Sequence, residues 1–305
     1  ARMQSQLIAD ELEKAHPGLQ VEMVIIKTTG DAITDRPLHE LGGKGLFVKE
    51  LELALLNGEV DFAVHSFKDL PVTMPLVDES QLVIAAVPKR EDVRDVLITR
   101  PGVTATSLAT LAEGANVATG SLRRRCQILQ HRPDVHVHPI RGNIDTRIRK
   151  LLEDGSPNDA VILAMAGLRR AALFDAERMH AIELQELLPA AGQGALALQC
   201  RGDAQHTRDL LSQLNDLQAA QCVNVERQIV AMLQGDCHSP IAAYAQIEGQ
   251  SLYLRTAVGM RDGQPPVIFA ESSGAIGDAA IAKDCCDKLL AKGAYHLLHA
   301  DAGAA

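Results

Sequence analysis

A lysine and an aspartate that could serve an active site stand side by side in residues 65–69 (HSFKD), directly after an apolar run at 61–64. The carboxyl ends of strands are where α/β domains place their ligands. The Asp69 carboxylate could move protons or stabilise a positive charge there, and Lys68 could bind an anion. An ordinary charged surface loop explains these residues equally well, and His65 is more typical of a packed histidine than of a catalyst.

Arginines concentrate at two points of a chain that is acidic overall. Residues 123–125 (RRR) open a predicted helix after a TGS segment, and Arg141 and Arg147 follow the next predicted strand. The planar guanidinium binds carboxylates and phosphates through two parallel hydrogen bonds. Cations at a helix N-terminus oppose the helix dipole, at a cost of up to about 1 kcal/mol, unless an anion compensates. We therefore favour a polyanionic ligand over a solvated helix face, and both groups could converge on one crevice.

Two turn segments are further candidates. Residues 42–45 (GGKG) precede a predicted helix, where exposed N–H groups, close backbone approach and Lys44 together favour an anion. A plain glycine-rich turn explains them as well, and the segment is not a Walker motif, so nucleotide binding does not follow. Residues 235–240 (GDCHSP) place Cys237 in a turn, where a thiol can be exposed and reactive. No second Cys or His lies at ligand spacing, so no metal site is predicted there.

Short apolar runs alternate with helical patterns through the first two thirds of the chain. This alternation predicts parallel sheets covered by helices, in two α/β lobes separated by a turn-rich region near 88–105. Strands are predicted at 21–27, 61–65, 82–87, 95–99, 116–119, 135–140, 159–165 and 195–200, and helices at 46–57, 122–131 and 144–153.

The last third of the chain has a different pattern. A helical stretch continues to about residue 233, and strands at 241–247, 251–258 and 267–271 then follow one another with turns between them. A final helix is predicted at 278–292. Consecutive strands closed by a helix are typical of an antiparallel α+β domain.

Composition excludes several classes of protein. The chain has 30 basic and 39 acidic residues, a net charge of −9, 3% aromatic residues and no Trp. We expect no binding to nucleic acid or membranes, because both need a positive field and single-stranded bases also need aromatic platforms. No apolar run approaches the roughly 20 residues of a spanning helix. We expect no signal peptide at the start of this sequence, although it begins at Ala1 and a removed leader stays open. Six scattered cysteines without a CxxC pair predict a reducing compartment, the cytoplasm.

Taken in order, these motifs resemble those of the porphobilinogen deaminase family, also called hydroxymethylbilane synthases. The similar stretches are 41–50 (LGGKGLFVKE), 64–71 (VHSFKDLP), 120–125 (GSLRRR), 140–147 (IRGNIDTR), 164–169 (AMAGLR), 191–194 (AGQG) and 235–240 (GDCHSP). The resemblance implies a transferase that condenses four porphobilinogen molecules head to tail onto a covalent dipyrromethane primer, releasing ammonia each time. Hydrolysis then frees linear hydroxymethylbilane for tetrapyrrole (haem) biosynthesis.

The resemblance also implies a fold. Two periplasmic-binding-protein-like lobes joined by a hinge are expected at 1–86 with 195–213 and at 92–188, with a C-terminal α+β domain at 217–305 that carries the cofactor cysteine. The family usually opens with a strand and a loop whose arginine and serine contact the cofactor or substrate. This sequence opens within the helix that follows, so we expect that strand and those ligands to be missing from it. We also expect a monomer whose partner is the small molecule porphobilinogen.

Residue-by-residue matching to the family's motifs implies the site. Cys237 matches the cysteine that holds the dipyrromethane through a thioether, in a loop where Asp236 stands at a position more commonly glycine. Asp69 matches the catalytic acid/base. Positions that bind cofactor and substrate carboxylates are matched by Lys68, Arg123, Arg124, Arg141, Arg147, Ser121 and Lys44, with Lys49 and Gln193 as further contacts and no metal.

A solute-binding protein is the alternative from another functional class. Two lobes, a hinge and an arginine-lined anion site would suit it without any catalysis. Cys237 and Asp69 discriminate between the two, because a binding protein needs neither a covalent cofactor nor an acid beside a scissile amine. A nucleic-acid-binding role, the third hypothesis, is contradicted by the net charge of −9.

Overall fold

The computed structural model describes residues 2–26, 48–72, 81–236 and 238–299. Its α-carbon contacts divide the chain into two compact units, Ala1–Arg90 with Ala195–Gln221 and Glu91–Gly194 with Cys222–Ala305. Each unit combines helices with a sheet, so the predicted α/β class is confirmed. The three domain ranges given above stay predictions.

Strands and helices follow one another closely along the described residues. The strands are β1 Phe62–Ser66, β2 Leu82–Ala86, β3 Asp95–Thr99, β4 Asn116–Ala118, β5 His136–His138, β6 Ala160–Ala164, β7 Met179–Ala181, β8 Leu196–Arg201, β9 Ile241–Glu248, β10 Ser251–Val258 and β11 Ile268–Ala275. The α-helices are Arg2–Ala15, Lys49–Leu56, Leu122–His131, Ile144–Leu152, Met165–Arg170, Gln205–Ser212, Leu217–Met232, Ala280–Ala291 and Ala294–His299.

In the first unit β8 lies between β1 and β2 and is antiparallel to both. The five residues Leu196–Cys200 are buried, as the apolar run in the sequence requires. Ile8 and Leu12 of the helix Arg2–Ala15 pack with Leu198 of β8 in one core cluster. This core supports β1, and the HSFKD segment leaves the sheet at the end of that strand.

The larger sheet of the second unit has the order β5-β4-β6-β3-β7. β4 runs parallel to β5 and β6, whereas β3 runs antiparallel to both β6 and β7. The prediction of wholly parallel sheets is therefore wrong. Parallel pairing needs a crossover between neighbouring strands. The crossover helices Leu122–His131 and Ile144–Leu152 link β4, β5 and β6 only.

The C-terminal residues form the predicted antiparallel sheet, in the order β11-β10-β9. The helix Ala280–Ala291 packs on it through Cys285, whose Sγ lies 3.2 Å from the Thr256 hydroxyl of β10. Its strands share a core with the helix Leu122–His131, since Ala242 and Ala257 cluster with Cys126, among others. These residues therefore belong to the same compact unit as the larger sheet.

One predicted strand is absent from the structure, and several short elements in it were not predicted. Residues 21–26 form no strand, because Val24 and Ile25 are 55% and 62% exposed and β1, β2 and β8 pair only with one another in the described sheet. The helix Met165–Arg170 and the short strand β7 were not predicted. Both are too short for a periodic pattern to develop. Among the described residues, no helix is long and apolar enough to span a membrane.

Candidate active site

Asp69 lies at the end of a short 3₁₀ turn, Phe67–Asp69, that directly follows β1. Phe67 and Leu70 on either side are 2% and 3% exposed, and the Phe67 N–H donates to the carbonyl of Ala195 at 3.0 Å. Two buried side chains thus anchor the turn and leave Asp69 exposed. The Lys68 side chain between them is half-buried.

His65 is the packed histidine that the sequence favours. It is 7% exposed, and its Nε2 lies 2.9 Å from Oε1 of Gln199 on the neighbouring strand β8. Burial lowers the pKa of His65 to about 4, against a smaller opposing effect of the Gln199 hydrogen bond. The imidazole is therefore neutral near pH 7 and supports β1 from inside the sheet.

Arg123 and Arg124 converge on a single buried carboxylate. Nη2 of each guanidinium lies 2.8 Å from one oxygen of Asp95, a residue with no exposed surface. Arg123 also donates to the carbonyl of Leu188, and Arg124 to that of Ile162 at 3.0 Å. The sequence predicts an anion at this helix start. For Arg123 and Arg124, that anion is Asp95 of the chain itself. Their contact with substrate carboxylates stays a prediction.

Gln193 completes this cluster from the AGQG turn. Its Nε2 donates to Oδ1 of Asp95 at 2.8 Å and to the carbonyl of Val93 at 2.7 Å. Burial alone would raise the pKa of Asp95, but the two arginines outweigh burial and hold the pKa of this carboxyl well below its usual range. Asp95 therefore stays ionised, and Gln193 is fully buried in the structure.

A second group of residues predicted for the site lies at the carboxyl ends of β4 and β5. Ser121 caps the helix Leu122–His131 by accepting the Arg124 N–H, and Gly120 before it is exposed. A Cβ at Gly120 would lie 3.0 Å from the carbonyl of Ile140 and 3.8 Å from both terminal nitrogens of Arg147. The Arg147 guanidinium therefore faces the backbone of Gly120 at a helix N-terminus, where anions are favoured.

The next helix start reinforces this geometry. Asn143 caps the helix Ile144–Leu152 by accepting the Thr146 N–H, and Arg147 Nε donates to the carbonyl of Gly142 at 2.7 Å. Arg141, on the same loop, is exposed. β4 and β5 are parallel neighbours, so their carboxyl ends meet at one edge. Arg141 and Arg147 follow β5 at this edge, whereas Arg123 and Arg124 bind the buried Asp95. The convergence of both arginine groups on one crevice stays a prediction.

The remaining predicted site residues are distributed differently. Lys49 is exposed at the first turn of the helix Lys49–Leu56. Lys44 and Cys237 lie outside the described residues. Beside Cys237, Asp236 Oδ1 accepts hydrogen bonds from the Ser239 hydroxyl and the His238 N–H, both at 2.9 Å. Burial raises the pKa of Asp236, but these hydrogen bonds outweigh it and keep that pKa below its usual value.

Two family models match this chain. The dipyrromethane cofactor binding domain of porphobilinogen deaminase matches residues 1–209, and the C-terminal domain of porphobilinogen deaminase matches residues 220–292. The chain belongs to the porphobilinogen deaminase family. It is a transferase that condenses porphobilinogen to hydroxymethylbilane on a dipyrromethane cofactor, as the motifs predict. Catalysis, and not solute binding alone, is therefore its function.

Some solved structures have a similar backbone but low sequence identity to this chain. The aliphatic sulphonate binding protein of Escherichia coli is 12% identical, with 95% of this chain and 88% of that chain covered and a TM-score of 0.38. The second Venus-flytrap domain of Bordetella pertussis BvgS is 16% identical, with coverage of 70% and 76% and a TM-score of 0.37. An amino acid ABC transporter substrate-binding protein of Streptococcus pneumoniae is 14% identical, with coverage of 70% and 75% and a TM-score of 0.35.

The described residues fit the cofactor of a porphobilinogen deaminase. Each pyrrole ring derived from porphobilinogen carries two carboxylates, so a dipyrromethane is a polyanion. The exposed backbone at Gly120, the adjacent Arg147 guanidinium and the exposed Arg141 supply the donors that carboxylates need. An acidic protein of net charge −9 can bind such a polyanion only where positive charge is concentrated locally.

Proposed function

We propose that Ser121, Arg141 and Arg147 bind the acetate and propionate groups of the cofactor and of the growing chain. The observation that carries this proposal is the Arg147 guanidinium facing the exposed Gly120 at the start of a helix. Two helix N-termini and two arginines at one sheet edge favour several carboxylates at once. When bound, the dipyrromethane supplies the pyrrole carbon to which new units are added.

We propose an electrostatic role for Arg123 and Arg124. Two guanidinium groups share the single carboxylate of Asp95, so this buried cluster has one positive charge in excess. Nε of Arg124 is buried without a hydrogen-bond partner among the described residues. Gln193, from the AGQG turn, also donates a hydrogen bond to Asp95 and so helps to hold the cluster in place. The excess charge would attract substrate carboxylates toward this helix start, where low dielectric strengthens the field.

We propose that Asp69 is the catalytic acid/base. The buried neighbours Phe67 and Leu70 hold the turn, so the exposed carboxylate can meet a ligand without rearrangement of β1. Loss of ammonia from porphobilinogen leaves a cationic azafulvene, which a carboxylate stabilises. The same group can transfer a proton to the leaving amine and later accept one from the new carbon–carbon junction. Lys68, Lys44 and Lys49 are proposed as further contacts to substrate carboxylates.

We propose that Cys237 forms the thioether to the cofactor. The other five cysteines, Cys126, Cys200, Cys222, Cys285 and Cys286, are all buried. Burial raises the pKa of Cys126 to about 12, so that thiol is a poor nucleophile at neutral pH. The hydrogen bonds of Asp236 to its neighbours order the loop on both sides of Cys237.

Cys237→Ser is expected to yield a protein without covalent cofactor. A hydroxyl is a far weaker nucleophile than a thiolate, so no thioether equivalent should form. Intact-protein mass under denaturing conditions measures this directly on the full chain. The matched control is Cys222→Ser, which removes a buried thiol and should keep the cofactor mass. A cofactor-sized mass increment on the Cys237→Ser protein would show that another residue is the attachment point.

Arg141→Lys and Arg147→Lys are each expected to slow elongation by about 10- to 100-fold, because each loses a charge-assisted hydrogen bond of the planar fork. The readout is the distribution of enzyme-bound intermediates, resolved by intact mass after substrate is added. Arg149→Lys, two residues further on the same helix and 71% exposed, is the control and should elongate normally. Normal distributions for Arg141→Lys and Arg147→Lys would remove these arginines from the proposed site.

We further propose that the chain acts as a monomer in the cytoplasm. Cys126, Cys200, Cys285 and Cys286 are free thiols, which suits a reducing compartment. Native mass of the purified full chain and fractionation of the source cells test the two statements separately.

A further inference from the structure

The edge strand β5 carries two histidines that the carboxylate site does not use. β5 is the outermost strand of the five-stranded sheet, and Val137 at its centre is buried. His136 and His138 are both exposed and lie on the same face, because side chains two residues apart in a strand point the same way. Their ring centroids are 6.4 Å apart, with an angle of 46° between the rings.

Asn116 of the neighbouring strand orients one of the two rings. Nε2 of His138 lies 2.9 Å from the side-chain oxygen Oδ1 of Asn116. Because an amide oxygen only accepts hydrogen bonds, Nε2 is the donor in this contact and Nδ1 is the ring nitrogen left for a ligand. The backbone of Asn116 is itself held in place, since its main-chain N–H donates to Oδ2 of Asp159 at 2.8 Å. Metal-ligating histidines are oriented in this way, with the other ring N–H donated to an oxygen.

We infer that His136 and His138 form a two-imidazole site for a divalent transition-metal ion, with water in its remaining positions. Metal–nitrogen bonds of about 2.0–2.1 Å would place the two ring centroids about 4–6 Å apart, so a small side-chain rotation from the observed spacing suffices. Imidazole ligands suit copper, nickel and zinc, and the general order of affinities puts Cu²⁺ first. No cluster of three or more His, Cys, Asp or Glu side chains in the described ranges could hold a metal ion. The ion at β5 therefore has two protein ligands and exchanges readily.

Neither histidine is one of the residues proposed to bind carboxylates. Metal binding at β5 is measured apart from elongation, so failure of this inference and failure of the proposed roles of Arg141 and Arg147 are distinguishable.

Titration of the full-length holoenzyme with Cu²⁺ in a non-coordinating buffer tests the site, with calorimetry for stoichiometry and electron paramagnetic resonance for nitrogen ligation. We expect one ion bound through two imidazole nitrogens. His136→Ala and His138→Ala should each abolish the two-nitrogen spectrum. Asn116→Ala, which removes only the supporting acceptor, should weaken binding by about 10- to 100-fold. Ni²⁺, which does not oxidise thiols, serves as a second probe.

The double variant His296→Asn, His299→Asn is the matched control. These two histidines lie three residues apart on the helix Ala294–His299, but Nδ1 of His299 is 2.9 Å from the carbonyl of Tyr295 and its ring stacks on the Tyr295 ring. This variant should bind Cu²⁺ as the unmodified protein does. The inference is overturned if the unmodified protein shows no saturable binding, if binding survives loss of His136 and His138, or if it disappears with His296 and His299.

Discussion

Asp69→Asn is expected to lower turnover by at least about 10²-fold, because it removes both proton transfer and the negative charge opposite the developing cation. The 3₁₀ turn should persist, since its anchors Phe67 and Leu70 are untouched and an exposed substitution of this kind shifts stability by no more than about 0.5 kcal/mol. Substrate should still bind, because the proposed carboxylate ligands are elsewhere. The decisive measurement is single-turnover ammonia release by Asp69→Asn protein that already carries its cofactor.

The matched control for this experiment is Asp61→Asn. Asp61 is also exposed and stands immediately before β1, whereas Asp69 follows the strand. The control should release ammonia at the unmodified rate. Near-normal release by Asp69→Asn would show that another group is the acid/base, and equal loss in both variants would point to a general disturbance of β1.

Asp95→Asn is expected to lower the free energy of unfolding by about 3–5 kcal/mol, because it leaves two buried guanidinium groups without their shared anion. An amide also turns one hydrogen-bond acceptor into a donor that faces Arg123 or Arg124. Urea unfolding of the full chain measures the loss. Asp134→Asn, which breaks the more exposed pair with Arg132, is the control and should change the midpoint little.

The pH dependence of this difference follows from the direction of the pKa shift. The pKa of Asp95 is lower in the folded protein than in the unfolded chain. Its stabilising contribution is therefore complete above its unfolded pKa of about 3.9 and is lost as pH falls further, toward the folded value. The difference in the free energy of unfolding between the unmodified protein and Asp95→Asn should be the same at pH 8 and pH 5. It should become smaller below about pH 4. Where Asp95→Asn alone fails to fold, Asp95→Asn with Arg124→Gln returns the cluster to its original net charge of one positive and should regain part of the stability. Equal free energies of unfolding for the unmodified protein and Asp95→Asn at neutral pH would contradict a stabilising role for this buried ion pair.

Local patterns predicted the crossover helices well. The helix Leu122–His131 has the predicted bounds because a Ser cap, its amphipathic spacing and the following Pro133 all act within a few residues. The run at 21–26 shows the opposite case. Its apolar residues suit a strand, but a strand also needs a partner for its backbone, and side-chain types do not specify that partner.

The part played by Asp95 could not be predicted from the sequence. It stands at the start of an apolar strand, and its partners Arg123 and Arg124 are 28 and 29 positions away in the chain. Three consecutive arginines at a helix start did indicate an anion, because they oppose the helix dipole. The sequence pattern could not distinguish a substrate carboxylate from one supplied by the chain, since that depends on how β3 pairs with β6.

The core shared by the two sheets of the second unit governs when a newly made chain can finish folding. Cys126 and Leu188 leave the ribosome well before Ala242 and Ala257, against which they are buried. Gly192 likewise emerges before Glu226, the carboxylate that accepts its N–H at 2.8 Å. Until β9 and β10 are synthesised, this apolar surface is open to chaperones and proteases. A chain that stops before β9 therefore lacks the residues that cover Cys126 and Leu188, and it leaves part of the core of the second unit exposed as well as losing the final sheet.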